Sequence, residues 1–410
     1  MRILIYSLNF SPELTGIGKY SGEMAQWLAD AGHDVLVITA PPYYPDWKVG
    51  EGYKGFAYKR EYSSRVKIQR CPLYVPRQPT ALKRIFHLAS FALTSGLALL
   101  TKLFTKPDVI FLVQPTLFCA PGALLFAKLT GAKAVMHIQD FEVDAMLGLG
   151  MASNGRIGRF AKAIERWLLS RFDAVSTISN SMLENAKQKG VPAEKLFLFP
   201  NWSDTDFVTP RSNGDGLRVE WGFSTSDKII LYAGNIGQKQ GLEIILEAAA
   251  AFKNQPAVKF VLVGTGAYAE ALLGQAQAMA LSNVYFMPLQ PWSRVPEMLA
   301  LADVHLVIQK KGAADAVLPS KLTNILSAGG HAIVTAEHNT ELGQIAARHS
   351  GIYSLVEPEN PQAFITCLQQ VLGSDITSHN VIAREYAEQF LNKEQILNQF
   401  VQDLESIVRG

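Results

Sequence analysis

The sequence predicts an α/β protein built from two tandem, doubly wound, Rossmann-like domains. Three observations predict it. Short β-branched and aromatic runs alternate with helical stretches along all 410 residues, the pattern of parallel strands covered on both faces. The alternation breaks at 201–218, NWSDTDFVTPRSNGDGLR, where Asn, Asp, Ser, Pro and Gly gather as in an inter-domain link. Each half opens on a strand followed by a glycine-bearing loop. The domains so drawn are 1–202 and 203–385, with 386–410 expected as a terminal helical piece packing back on the first. Two such domains in tandem are expected to make a cleft, with ligands outside the carboxyl ends of the strands.

Residues 2–8 form the first strand; one charge and a short apolar run with no cleavage site do not make a targeting segment. The loop NFSPELTGIGKY follows, where Gly16 and Gly18 let the backbone approach a ligand closely. Next comes a helix, SGEMAQWLADAG. The position three after Gly18 is Ser21, so the dinucleotide fingerprint is absent, and the strand DVLVITA (34–40) ends in Ala-Pro-Pro rather than a ribose-holding acid. Both points argue against a dinucleotide oxidoreductase. The long loop PPYYPDWKVGEGYKG carries aromatics that either stack on a sugar or acceptor or close onto the core.

Residues 77–106 carry a long apolar run, with Lys102 the one charge between Ile85 and Phe104. Lys83, Arg84, Lys102 and Lys106 flank it, with Arg65, Lys67, Arg70 and Arg77 upstream. A helix lying at a membrane interface has this make-up, and so does a buried helix with a charged rim. Strands then recur at 108–114, 133–139, 173–179 and 195–200, separated by helical stretches.

The second half opens on KIILYAGNIGQKQGLEIILEAAAAF (228–252): a buried strand, a glycine loop, then a helix with apolar Leu242, Ile245, Leu246 and Ala249. Free N–H groups and a partial positive charge at one point suit a phosphate, and Lys239 adds a full charge. A further glycine pair, VGTG at 263–266, follows the strand at 258–264, and strands continue at 283–288, 303–308, 331–336 and 352–356. The net charge of +2 gives no case for nucleic acid. Three cysteines (Cys71, Cys119 and Cys367) lack metal spacing and fit a reduced, cytosolic protein.

TGIGKY, HIQD (137–140), FPNWSD (199–204), AGNIGQKQGLE, VGTG and ADAVLPSKLTNILSAGGHAIVTAE together resemble the GT-B glycosyltransferases, specifically the retaining family four, over essentially the whole chain. Within that family, NFSPELTGIGKY, APPYYP and HIQDFEVDAMLGLG are most like the branch assigned to enterobacterial colanic acid synthesis and described as fucosyltransferases. The resemblance implies a GDP-fucose donor and an undecaprenyl-diphosphate-linked sugar acceptor at the inner face of the cytoplasmic membrane, with no metal cofactor. It places His137 at the transferred sugar, and Lys239 and Lys321 at the departing diphosphate. Gly16, Gly18, Gly234, Asn235, Gly264, Gly266, Asp315, Ser320 and Asn324 fall on the donor, and Glu13, Tyr44, Asp140 and Glu142 on the acceptor.

The chain departs from the family at four places. Asn235 and Gln240 stand where its GR-x4-KG motif has Arg and Lys, and Ala316 and Asn324 stand where its E-x7-E motif has two Glu. A GT-B sugar-nucleotide epimerase and a non-catalytic scaffold remain competing readings.

Overall fold

The computed structural model describes residues 1–13, 16–78, 80–144, 155–311, 319–374 and 378–410, without the side chains of Ala81, Ile157 and Lys239. They form two compact units, Met1–Pro200 with Leu397–Gly410, and Asn201–Ile396.

The first unit contains β1 (Arg2–Ser7), α1 (Gly16–Asp30), β2 (Asp34–Thr39), β3 (Lys59–Ser63), β4 (Val66–Arg70), α2 (Ala81–Leu100) and β5 (Val109–Gln114). It continues with α3 (Ala120–Thr130), β6 (Lys133–Ile138), α4 (Arg156–Leu169), β7 (Ala174–Thr177), α5 (Asn180–Gln188) and β8 (Leu196–Leu198). The sheet order is β3-β4-β2-β1-β5-β6-β7-β8, parallel except for the β3–β4 pair. Every residue of β5 is buried, because both faces of the sheet are covered. On one face Tyr6 packs against Phe91 of α2. On the other, Phe111 and Phe199 meet Phe400, whose ring lies 4.0 Å from that of Phe199 between centroids.

The β3–β4 hairpin is an element the sequence did not announce. Its alternation is masked by charge on both faces of KREYS and by a buried polar end, Gln69 and Arg70. Arg70 is 2% exposed. Its guanidinium pairs with Glu61 at 2.6 Å and donates to the carbonyls of Ala40 and Ser11. Counted from sequence among the basic residues flanking 77–106, Arg70 is therefore a core residue and offers no charge to a lipid, and Lys67 pairs with Asp34. The apolar run itself is α2, capped by Thr80. None of the described helices is long and apolar enough to cross a membrane.

The second unit contains α6 (Asp215–Glu220), β9 (Lys228–Ala233), α7 (Glu243–Ala251), β10 (Val258–Val263), α8 (Ala269–Ala278), β11 (Val284–Met287), α9 (Val295–Leu301) and β12 (Val304–Val307). There follow α10 (Ser320–Ser327), β13 (Ala332–Thr335), α11 (Glu341–Arg348), β14 (Ser354–Val356), α12 (Pro361–Gly373) and α13 (Val381–Phe390), and α14 (Lys393–Arg409) closes the chain. Its six parallel strands run β11-β10-β9-β12-β13-β14. Phe252, Phe260 and Phe364 centre one core cluster, and Leu322, Leu326 and Val334 another. The polar stretch after Pro200 is tied into this unit: Arg384 donates to the carbonyls of Thr205, Val208 and Ser327.

Candidate active site

Parallel strands bring their carboxyl ends, and the loops that follow, to one edge of each sheet. In the second unit that edge carries the residues expected at the donor. β9 ends at Ala233 and the chain turns at Gly234, whose φ of 155° favours glycine. The Tyr232 hydroxyl donates to the Asn235 carbonyl at 2.7 Å and pins this turn. Lys321, at the start of α10, lays its ammonium 4.1 Å from the centre of the same Tyr232 ring and packs beside Gly234. Burial of that amine pushes its pKa down to about 7. The site thus holds a cation-ready amine whose only described ring partner is neutral, an arrangement that gains most when an anion arrives.

The glycine pair has a packing role. A Cβ on Gly264 would meet the Gly234 carbonyl oxygen at 1.9 Å, and one on Gly266 would meet that of Ile236 at 2.2 Å. These glycines let the two loops pack backbone to backbone, joined by the Gly234 N–H on Val263 and the Ile236 N–H on Thr265, each at 2.9 Å. The helix expected straight after Gly237 is displaced. A 3-10 turn, Gln238–Gln240, and Gly241 (φ 72°) intervene before α7 begins at Glu243. Ser320 is exposed at the first position of α10, and Asn324 accepts from the Ser203 hydroxyl at 2.9 Å. Asp315 and the Lys239 side chain lie outside the described residues.

In the first unit, α1 starts at Gly16, five residues before the expected helix, so Gly18 lies within it. A Cβ on Gly18 would meet the Glu13 side chain at 2.6 Å, so the close approach this glycine permits is to the protein's own carboxylate. Glu13 itself is buried, accepting the N–H groups of Tyr43 and Tyr44 at 3.0 Å and the Asn9 amide at 2.9 Å. It shapes the loop that presents the half-exposed Tyr44 ring.

His137 is the penultimate residue of β6, stacked on Phe111 and 2% exposed. Its Nε2 accepts from the Gln139 amide and its Nδ1 meets the Ser176 hydroxyl, both at 2.9 Å. Burial pushes its pKa down to about 3, so the ring is neutral at any working pH. Asp140 is exposed next to it. Glu142 is buried and pushed up to about 7 by burial; one oxygen accepts the Leu117 N–H at 2.7 Å. Its other oxygen and both side-chain atoms of Gln114, at the end of neighbouring β5, lack hydrogen-bond partners among the described residues. Unsatisfied buried polar atoms at a strand edge are what a ligand hydroxyl would complete.

Sequence reasoning missed Tyr232 and Gln114. Their signal was positional: each stands within a residue or two of the carboxyl end of a central strand.

With this geometry in place, comparisons with known proteins decide the family. Residues 15–202 match the glycosyl transferase 4-like domain, and residues 215–389 match the glycosyl transferases group 1. WcaI of Escherichia coli (strain K12), whose name assigns it provisionally to colanic acid biosynthesis as a glycosyl transferase, is 52% identical over 409 residues, 98% of this chain and 100% of that protein. The chain belongs to the group 1 glycosyl transferases. Among solved structures, this glycosyltransferase resembles sucrose-phosphate synthase from Thermosynechococcus elongatus, with a TM-score of 0.74 at 16% identity over 99% of each chain. It also resembles Anabaena Alr3699/HepE in complex with UDP, with a TM-score of 0.71 at 16% identity over 99% of this chain and 100% of that one. At such identities the likeness shows the fold alone, which is GT-B.

Proposed function

We propose that this glycosyltransferase moves fucose from GDP-fucose, with retention, onto an undecaprenyl-diphosphate-linked sugar in colanic acid synthesis. The observation that carries the reading is the full-length similarity to WcaI, named for that biosynthesis. Lys321 over Tyr232, beside the Gly234 turn, supports a diphosphate-bearing donor on the second unit.

In this reading the bond from the sugar's anomeric carbon to the β-phosphate oxygen breaks, and a bond to the acceptor oxygen forms. The acceptor's proton leaves with the nucleoside diphosphate. Lys321, which takes a proton from solvent as the anion binds, meets the charge that builds on the leaving oxygen, and no metal ion is required. Neutral His137 meets the sugar through Nε2, which gives up the Gln139 amide for a sugar hydroxyl and adds no charge. Glu142, Gln114 and Asp140 receive acceptor hydroxyls, with Tyr44 against the acceptor's rings. The protein acts at the inner face of the cytoplasmic membrane, reached through the basic, apolar segment 77–106.

Calorimetric titration with GDP, UDP and ADP tests the donor. Selective GDP binding, weakened by Lys321→Ala, is the expected result. UDP preference would keep the reaction class and remove fucose, and binding of none of the three would sink the donor assignment. Transfer that survives EDTA treatment is expected; its loss would overturn the metal-free reading.

A further inference from the structure

The crossovers β4→β5, β5→β6 and β6→β7 all join parallel strands running in one direction across the sheet. Being right-handed, they place α2, α3 and α4 side by side on one face. Each helix buries one side against the sheet, with Phe91 and Leu99 from α2, Ala123 and Phe126 from α3, and Leu168 and Leu169 from α4.

The outward sides are unusual. On α4, Phe160 (67% exposed), Ile164 and Trp167 (55% exposed) form a stripe at i, i+4 and i+7. Arg156, Arg159, Lys162 and Arg166 are exposed on the adjoining strip of the same helix. Its one acid, Glu165, is buried against the sheet and bound to Lys189 at 2.6 Å. The Arg171 guanidinium lies 5.1 Å from the Trp167 ring. The neighbouring helices extend the surface with exposed Leu93, Leu97 and Leu100 on α2 and Leu125 and Leu129 on α3. Neither α2 nor α3 contains an Asp or Glu, whereas Lys83, Arg84 and Lys128 lie on them.

Soluble surfaces mix the two signs of charge. Among the described residues, the outward sides of α2, α3 and α4 carry apolar anchors, cations and no exposed acid. Glu184 on α5, which the next crossover sets beside α4, is paired with Lys187. The complement of this surface is thus both greasy and negative. A two-fold contact with a second copy would set the cations against themselves. A bilayer with anionic headgroups meets both requirements, the rings entering the acyl boundary and the arginines and lysines resting on phosphates.

We propose that α4 is a membrane-docking helix, laying Phe160, Ile164 and Trp167 into an anionic bilayer with Arg156, Arg159, Lys162 and Arg166 on its headgroups. The inference deepens the membrane contact proposed above, which rests on 77–106 alone, and adds a second, amphipathic anchor remote in sequence.

The test is sedimentation of the full-length protein with phosphatidylcholine vesicles, alone or with about a third phosphatidylglycerol. The native protein is expected on the mixed vesicles and not on the neutral ones. Arg159→Gln with Lys162→Gln should weaken binding about twenty-five-fold at low salt, at about fivefold per charge. Phe160→Ser with Trp167→Ser should weaken it by at least about tenfold, with the thermal midpoint unchanged. Brominated acyl chains should quench fluorescence in the native protein more than in Trp167→Phe.

Failures are distinguishable. No vesicle binding by the native protein would overturn the membrane reading as a whole. Native-like binding by the α4 variants, with loss in Leu93→Ser/Leu97→Ser, would overturn the docking role of α4 and leave 77–106 as the contact. A dimer dissolved by Phe160→Ser/Trp167→Ser would make the face a protein interface and overturn the proposal.

Discussion

Lys321 gives a quantitative handle on the donor site. Its amine has a pKa of about 7 in the protein as it stands, lowered by burial over Tyr232. A bound diphosphate supplies the missing counter-charge and returns the pKa toward the ordinary lysine value of about 10.4. If the bound state is protonated throughout, the Kd is multiplied by 1 + 10^(pH − 7), about 2 at pH 7 and about 11 at pH 8. Raising the pH by that one unit should therefore weaken nucleotide binding about fivefold. Binding should draw about half a proton from the buffer at pH 7 and about nine tenths at pH 8. The terminal phosphate's own pKa, near about 6, leaves it ionised over this range. Calorimetry of the preferred nucleoside diphosphate in two buffers of different ionisation enthalpy reads the proton count directly. Lys321→Arg, charged at every pH, should bind with a flat profile and no uptake. A native protein that takes up no proton, or a Lys321→Arg variant with the native slope, would refute the reasoning.

Four other outcomes are expected. Arg70→Ala leaves Glu61 with Lys59 as its cation and takes a donor from two carbonyls, and chemical denaturation should show a loss of about 3 kcal/mol. Phe400→Ala empties the stack on Phe199 and Phe111 and should cost about 3–5 kcal/mol by the same assay. His137→Phe keeps the contact with Phe111 but removes the nitrogens that meet Ser176 and Gln139; under the role proposed for this ring at the sugar, transfer should fall by about a hundredfold or more while calorimetry finds nucleotide affinity unchanged. Glu142, raised to about 7 when folded, binds more protons in the native than in the unfolded state between about pH 4.5 and 7, so its burial penalty grows as pH rises through that window. Glu142→Gln should accordingly gain on the native protein from pH 5 to pH 8 in thermal melts, by up to about 3 kcal/mol.

The six strands of the second sheet and the six apolar strands of the first were legible because each is a short apolar run, near-continuous in the central strands, which are buried on both faces. The β3–β4 hairpin was not, because beside Val66 and Ile68 it buries Gln69 and Arg70, and Arg70 is held there by Glu61 and by carbonyls distant in sequence. Gly264 and Gly266 stood out in sequence as positions needing freedom. What presses on them, the backbone of the neighbouring loop, is a tertiary fact that no spacing reports. Lys321 could be picked out by its segment, yet its depressed pKa arises from the surroundings that bury it, and Tyr232 lies 89 positions earlier in the chain. The stripe on α4 was there to be read at i, i+4 and i+7; that it faces outward depends on which side of the helix meets the sheet.

The first unit is completed by Leu397–Gly410, which are made only after the whole of the second unit. At about 5–20 residues per second, the stretch from Asn201 to Ile396 takes on the order of 10–40 s to make. For that interval the aromatic side of the first sheet, with Phe111, Phe197 and Phe199, waits without Phe400. A chain that stops before Leu397 thus leaves a greasy face open to chaperones and proteases. Only a chain that reaches Phe400 carries its own cover for that face.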